Sequence, residues 1–133
     1  MRNSPLFPLF AFLLLLACQT SEEERIRQVL QQRQEALRQK DLSLYLSCIS
    51  KAYQDKEEDF DHLRKRIESY FQDFDRIDYR SWNLSIRREG DVAVATQEFG
   101  LDVEKGERTS RYSGKEALFL RKESDQWKIV KGL

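Results

Sequence analysis

The sequence has few of the residues that build metal sites and disulfide frameworks. It contains one histidine and two cysteines, Cys18 and Cys48, in 133 residues. Cys48 lies among apolar residues, which indicates a buried small hydrophobic side chain. A zinc site needs several histidine or cysteine ligands, and the acidic stretch 55–59 lacks the glycine and the alternating ligands of a calcium loop. The sequence therefore predicts no bound metal and no cofactor.

Helix-breaking residues are absent from the middle of the chain. Both prolines, Pro5 and Pro8, precede residue 9, and all five glycines lie between Gly90 and Gly132. Turn formers are thus confined to the last third of the domain. This order predicts helices first and strands afterwards, which is the arrangement of an α+β domain.

Neither sign of charge is in excess. The 23 Lys and Arg residues balance the 23 Asp and Glu residues. Their signs are interspersed, which is typical of a solvated surface, and no basic cluster indicates a nucleic-acid partner. The length suits one domain with a single hydrophobic core.

Residues 1–17 have the pattern of a secretory signal peptide. Arg2 supplies a positive charge, Leu6–Leu16 is an almost continuous apolar run, and Ala17 is the small residue before Cys18. The run is shorter than the about 20 apolar residues of a transmembrane helix. An uncleaved anchor and a cleavage site without lipid are the alternatives.

The residues Leu15-Leu16-Ala17-Cys18 resemble a bacterial lipobox. This resemblance implies that Cys18 is lipidated and becomes the mature N-terminus, so that acyl chains attach the protein to the membrane of the cell envelope. Gln19 in place of Asp implies the periplasmic face of the outer membrane in a Gram-negative organism. Residues 18–24 are then the lipidated cysteine and a short tether, which keeps the domain close to the membrane.

The first helix is predicted to begin near Ser21, because Ser21 and Glu24 have the spacing of a capping box. Ile26 and Leu30 begin an apolar stripe of helical period. Arg33 interrupts this stripe. Either its stem packs while its charge reaches water, or it is a cation at the rim of a pocket.

Two further helices are predicted before residue 75. Asp41 is expected to cap a short second helix, and a third helix is expected to begin near Asp59. From Arg76 onward the apolar period is two. The parity of the apolar positions changes near Arg80-Ser81 and again beside Gly100, which predicts two β-bulges. The predicted architecture is three helices on the concave face of a strongly bent, four-stranded antiparallel sheet.

This order of elements resembles the nuclear transport factor 2-like fold, which includes SnoaL-like domains. The resemblance spans residues 25–133 and depends on Glu35-Ala36-Leu37, Gly90-Asp91-Val92-Ala93-Val94 and Trp127-Lys128-Ile129-Val130. It is similar in pattern to such domains in envelope proteins, including the C-terminal domain of some L,D-transpeptidases. The resemblance implies a cone-shaped pocket between helices and sheet.

Enzymes of this family use an Asp base or an Asp and His pair, and neither residue type falls at a recognisable catalytic position in this sequence. A non-catalytic domain that binds a small ligand or a protein is therefore favoured, with no catalytic residue assigned. The alternative is an isomerase or cyclase that uses Glu98 or Glu116 as general base and a nearby tyrosine as donor.

Six residues are candidates for the ligand pocket: Tyr45, Tyr53, Trp82, Glu98, Tyr112 and Glu116. Glu98 and Glu116 share strand parities with apolar residues, so each carboxylate faces either the cone or, if the parity shifts, the solvent. The family resemblance also implies a homodimer through the open face of the sheet. Its signature would be the exposure of Trp82, Leu84, Phe99, Phe119 or Val130.

The lipid anchor is tested by the substitution Cys18→Ala. Because the thiol is the acceptor of the lipid, this variant is expected to incorporate no palmitate and to accumulate as unprocessed precursor. Metabolic labelling with palmitate and the electrophoretic mobility of the protein measure both effects. Unchanged labelling of the variant would contradict the lipobox interpretation.

Overall fold

A computed structural model describes the backbone of residues 8–133 and the side chains of residues 21–133. Within that part of the chain, helices α1 (Pro8–Gln39), α2 (Leu42–Ser47) and α3 (Phe60–Asp73) precede the main sheet. Of the predicted signal peptide, residues 1–7 lie outside the described residues, and the side chains of residues 8–20, including that of Cys18, lie outside them as well. No helix of the described part has an apolar stretch long enough to cross a bilayer.

The starts of α2 and α3 confirm the two aspartate caps predicted from sequence. The Asp41 carboxylate accepts a hydrogen bond from the backbone N–H of Leu44 at 3.0 Å. The Asp59 carboxylate accepts one from the N–H of His62 at 2.9 Å. Helix α1 differs from the prediction, because it runs through Ser21 without a break and includes the expected tether. Between α2 and α3, β1 (Gln54–Asp55) and β2 (Glu58–Asp59) form a short hairpin.

The main sheet has four antiparallel strands in chain order, which confirms the predicted fold class. These are β3 (Arg76–Glu89), β4 (Val92–Lys105), β5 (Arg108–Glu123) and β6 (Gln126–Lys131). Helix α1 packs mainly on β3. The helices cover one face, which we call the inner face, and the other face is called the outer face.

One of the two predicted bulges is present. The register of β3 against β4 shifts between Trp82 and Ser85, and Asn83 has a positive φ of 55°. The bulge therefore lies two residues later than predicted. It leaves Trp82 on the outer face and turns Leu84 toward the core.

The bulge predicted beside Gly100 is wrong. Strand β4 keeps a continuous register through Gly100 with both β3 and β5. Its inner face carries Ala93, Ala95 and Gln97, all buried, and then continues through Phe99. Val92 and Val94 are larger and more hydrophobic than these alanines, and hydrophobicity alone would favour the valine side as the inner face. The helices nevertheless pack on the alanine side.

A single core fills the space between the helices and the inner face. It contains the following buried residues: Ile26, Leu30, Ala36, Tyr45, Cys48, Ile49, Tyr53, Leu63, Ile67, Ala93, Ala95, Leu118, Leu120, Trp127 and Ile129. All of them lie within residues 26–129. A fragment of residues 21–133 therefore retains the whole described core.

The outer face exposes part of the apolar surface expected there. Trp82 is 45% exposed and Phe119 is 38% exposed. Leu84 and Phe99 were expected on this face, but both point inward. Leu84 does so because it follows the bulge at Asn83, and Phe99 does so because β4 has no bulge at Gly100. A homodimer through this face stays a prediction.

Glu22 joins the N-terminal part of α1 to the sheet. Its carboxylate accepts hydrogen bonds from Lys122 Nζ at 2.9 Å and from the indole N–H of Trp127 at 2.6 Å. The hydrogen bond from Lys122 lowers the pKa of Glu22, the bond from Trp127 lowers it further, and burial opposes both effects. The contact fixes the direction in which α1 leaves the domain.

Gly132 provides a stability test of the sheet edge. Its φ is +107°, and a side chain there would overlap the carbonyl oxygen of Ala117. Gly106 has a φ of +61° with open space around it. We expect Gly106→Ala to lower the free energy of unfolding of residues 21–133 by about 1 kcal/mol and Gly132→Ala by about 3 kcal/mol or more. Urea unfolding measures both, and equal losses would contradict the predicted overlap.

Candidate functional site

A cavity of about 420 Å³ opens between the helices and the inner face of the sheet. Its size lies in the range of about 300–1,000 Å³ that is typical of small-molecule sites. Most of the wall is apolar or aromatic, and it is formed by Leu37, Tyr45, Ile67, Tyr70, Phe74, Ile77, Tyr79, Phe99, Leu101, Val103, Tyr112 and Leu133. The polar or charged side chains in the lining are Arg33, Arg66 and Glu116.

An ion pair between Arg33 and Glu116 forms the polar end of this cavity, which we call the floor. Arg33 Nη1 donates to Glu116 Oε1 at 3.1 Å, and Nη2 contacts Oε2 at 3.5 Å. The Arg33 side chain is 9% exposed and that of Glu116 is 12% exposed. The two residues are 83 positions apart in sequence, so the pair joins the middle of α1 to β5.

Tyr79 and Gln97 complete the floor. The Tyr79 hydroxyl donates to Glu116 and accepts from Arg33 Nη1 at 3.2 Å. Gln97 Nε2 lies 2.9 Å from Glu116 Oε1 and 3.1 Å from the Tyr79 hydroxyl. Phe99 stacks on Tyr79 with a ring-centroid distance of 6.0 Å. The Glu116 carboxylate thus accepts hydrogen bonds from three different side chains.

These contacts fix the protonation states of the floor. Burial alone would raise the pKa of Glu116, but the Arg33 charge and the hydrogen bond from Tyr79 outweigh it and hold that pKa below its ordinary value. Burial and the adjacent carboxylate raise the pKa of Tyr79 to about 12, against the opposing effect of Arg33. Burial would lower the pKa of Arg33, but Tyr45 and Glu116 raise it. At neutral pH the floor is an ion pair beside a protonated phenol.

One donor of this floor has no protein partner among the described residues. Arg33 Nε is fully buried and makes no hydrogen bond there. Buried donors are nearly always satisfied, and an unsatisfied one costs about 1–3 kcal/mol. The guanidinium therefore keeps one buried donor that no described residue satisfies.

The mouth of the cavity is formed by α3 and β5. Arg66 pairs with Glu58 of β2 through two hydrogen bonds of 2.8 and 2.7 Å, and its guanidinium lies 5.8 Å from the ring centre of Tyr70. Tyr70 is 41% exposed and Tyr112 is 58% exposed. The charge of Arg66, like that of Arg33, is already balanced by a carboxylate.

Three of the six pocket candidates line the cavity. Tyr45 is buried in its wall, Tyr112 stands at its mouth, and Glu116 lies on its floor. The other three do not line it. The Tyr53 hydroxyl donates to the backbone carbonyl of Leu133 and accepts from its N–H, so it holds the segment that follows β6 instead.

Trp82 and Glu98 lie on the outer face. They are register partners across β3 and β4, and partners in an antiparallel pair share a face. Glu98 hydrogen-bonds to Asn83, the bulge residue. Glu98 was a candidate for the cavity, but it faces outward because β4 has no bulge at Gly100. It therefore shares the face of the exposed Val92, and its neighbour Gln97 points inward.

The sequence did not identify Tyr79 and Gln97 as floor residues, and it left the position of Arg33 open. Arg33 lies on the buried stripe of α1, seven residues after Ile26 and three after Leu30, and its charge is buried together with its stem. The position of Arg33 on that apolar stripe was the feature of the sequence that indicated its burial. For Tyr79, the signal was its shared parity with the buried Ile77. Gln97 could have been found only by assigning the inner face to Ala93 and Ala95.

The floor is suited to binding a polar atom rather than to metal chemistry. Glu116 is the sole carboxylate in the described lining, and it is already paired. A carboxylate that accepts three hydrogen bonds and has a lowered pKa is a weak base at neutral pH. The arrangement can orient a ligand by hydrogen bonding while the apolar wall encloses the rest of that ligand.

Solved structures with the same fold are similar to this chain. A conserved protein from Planctomyces limnophilus superposes with a TM-score of 0.78 at 16% identity, covering 85% of this chain and 94% of the other. A nuclear transport factor 2-like superfamily protein from Salmonella enterica superposes with a TM-score of 0.75 at 13% identity, covering 86% and 89%. These identities show a common fold and no more.

A protein from Novosphingobium aromaticivorans that is named as a candidate scytalone dehydratase superposes with a TM-score of 0.77 at 13% identity, covering 86% of this chain and 83% of the other. No curated protein is similar to this chain at a significant level. The family model described as SnoaL-like domain matches residues 26–132. Because this match spans the whole folded domain, the chain belongs to the SnoaL-like domain family.

Proposed function

We propose that this protein is a lipid-anchored module of the bacterial cell envelope that binds a small, uncharged ring compound in its cavity without transforming it. The observation that carries the proposal is the neutralised floor, in which the Arg33 charge is matched by Glu116 at 3.1 Å. The residues Leu15-Leu16-Ala17-Cys18 support the attachment.

The size and the wall of the cavity support a ring compound. The wall offers aromatic faces from Tyr79 and Phe99 on one side and aliphatic side chains such as Leu37 and Ile67 on the other. A ligand of one or two fused rings would remove this apolar surface from water, at about 25 cal/mol for each Å² buried. The polar groups of the floor would then fix its orientation.

The charges of the floor favour a ligand whose buried end is uncharged. A carboxylate or an ammonium group placed there would be a third buried charge, next to a pair that already balances, and an unpaired buried charge costs several kcal/mol. A carbonyl or hydroxyl oxygen carries no such penalty.

The protonation states favour binding over catalysis. Glu116 stays ionised and already accepts hydrogen bonds from three side chains. Tyr79 stays protonated, because its pKa is raised to about 12, and its hydroxyl hydrogen is donated to Glu116. A general base works best when its pKa lies near the operating pH. Neither group of the floor meets that condition at neutral pH.

The neutral floor is tested by measuring the binding of two compounds with the same ring system, uncharged β-naphthol and anionic β-naphthoate, to a fragment of residues 21–133. We expect β-naphthol to bind at least about tenfold more tightly, because the anion would be unpaired on the floor. In Glu116→Gln the Arg33 charge loses its partner, so the preference is expected to invert in favour of β-naphthoate. Isothermal titration measures the four affinities.

The matched control is Glu98→Gln, which removes the same charge from the outer face and is expected to keep the wild-type preference. Equal affinities for both compounds in the wild type would contradict the proposal. An unchanged preference in Glu116→Gln would contradict it as well.

A second candidate function is an isomerase, cyclase or dehydratase activity with Glu116 as general base. The contact between Tyr79 and Glu116 on the cavity floor favours it, since a base and a donor lie within reach of one ligand. The similarity to a protein named as a candidate scytalone dehydratase adds a family context. Glu116 would have to give up at least one of its three donors when the substrate binds.

Proton transfer is tested by deuterium exchange next to the carbonyl group of β-tetralone, an uncharged two-ring ketone. We expect the wild-type protein to leave the exchange rate unchanged, because Glu116 is a weak base. Nuclear magnetic resonance in D₂O measures the rate. An acceleration of about a hundredfold or more that disappears in Glu116→Gln would replace the binding proposal by the enzymatic one.

A further inference from the structure

We propose that the free edge of strand β5 binds an extended acidic segment of a partner protein by strand addition. The name β5 edge is used for residues 108–115, the N-terminal half of the strand. The recognition would combine main-chain hydrogen bonds with the basic side chains of this segment. The proposal does not depend on what the cavity binds.

The β5 edge has a neighbour on one side only. Strand β4 pairs with β5 from Arg108 to Arg121 without interruption. On the other side, β6 pairs with β5 only from Phe119 onward. Within residues 8–133 no other strand pairs with this segment, and all eight of its residues, Arg108 to Lys115, are exposed. A strand uses alternate residues for each neighbour, so every second residue of the edge presents an unpaired N–H and C=O.

The β5 edge lacks two of the devices that usually protect a free strand, a bulge and a proline. Natural edges are interrupted by bulges or proline, are covered, or carry charged side chains, and the β5 edge carries only the last of these. The edge strand on the opposite side, β3, has such a bulge at Asn83. The β5 edge keeps a continuous register with β4 and contains no proline, while Thr109 and Tyr112 are residue types that favour strands. Eight residues of strand extend about 27 Å, which is long enough to guide a partner strand.

The charges of the β5 edge specify the chemistry of the partner. Arg108, Arg111 and Lys115 are basic, and the segment contains no acidic residue. Arg111 is 80% exposed and its contact with Asp102 is 3.8 Å long, so its charge remains available. A second copy of this chain, paired antiparallel, would bring these basic residues opposite one another, which is destabilising. Arg111 and Lys115 share one face of the strand, so an added strand with acidic residues at alternate positions would meet both of them with the opposite charge.

The position of the β5 edge links it to the cavity mouth. Tyr112 belongs to the edge and lines the cavity as well, and it is 58% exposed. A strand added to the edge would therefore lie beside the mouth and would remove part of the Tyr112 ring from water. A bound partner would be expected to slow the exchange of any occupant of the cavity.

The proposal is tested with the full chain in phosphatidylcholine nanodiscs and a fluorescein-labelled, capped peptide of about ten residues, in which Glu alternates with Thr and Val. Fluorescence anisotropy is expected to show binding that weakens as salt is added. Hydrogen exchange is expected to slow at alternate amides of residues 108–115. The variant Arg111→Glu with Lys115→Glu is expected to bind the peptide at least about tenfold more weakly.

Two controls separate strand addition from general attraction between charges. The variant Arg25→Glu with Arg87→Glu makes the same change of charge at exposed positions away from the edge, and it is expected to keep the wild-type affinity. A peptide with N-methyl groups on alternate amides is expected to lose binding, because it keeps the charges but cannot pair as a strand. Binding that survives N-methylation, slowed exchange at β3 in place of β5, or formation of a dimer through the β5 edge would each overturn the proposal.

Discussion

The buried ion pair between Arg33 and Glu116 is the interaction on which the site depends. It joins α1 to β5 across the cone, and it is the reason that a charge can stand on the apolar stripe of a helix. A buried pair contributes little net stability, because desolvation offsets the attraction, but removing one partner leaves an uncompensated charge. The pair therefore acts as a constraint on what can enter the cavity more than as a source of stability.

Tyr79 and Gln97 show how this pair determines the rest of the floor. Once Glu116 is ionised in a buried place, its oxygens need donors, and both side chains supply one. Each of them sits on a different strand of the sheet, so the floor is assembled from β3, β4 and β5 as well as α1. A cavity whose floor is assembled this way is preorganised, because no charge or donor has to move before a neutral ligand arrives.

The parts of the structure predicted from sequence are those that depend on neighbouring residues. The caps at Asp41 and Asp59 are local hydrogen bonds, and both are present. The inner and outer faces of β4 depend instead on tertiary contacts with the helices. Ala93 and Ala95 pack beneath the helices, while the larger Val92 stays exposed. This arrangement places Glu98 on the outer face and Gln97 on the inner face, where it contacts Glu116. Hydrophobicity along one strand contains no information about which face the helices cover.

The contact of Glu22 with Lys122 and Trp127 has a geometrical consequence for an anchored molecule. It holds α1 against the end of the sheet where β5 turns into β6, four residues after Cys18. Leu37, at the cavity, is fifteen residues further along the same helix, which corresponds to about 22 Å at 1.5 Å per residue. In a chain attached through Cys18, as we propose, α1 would be a rigid spacer between the acyl chains and the cavity, and the proposed occupant would reach the opening from the aqueous side.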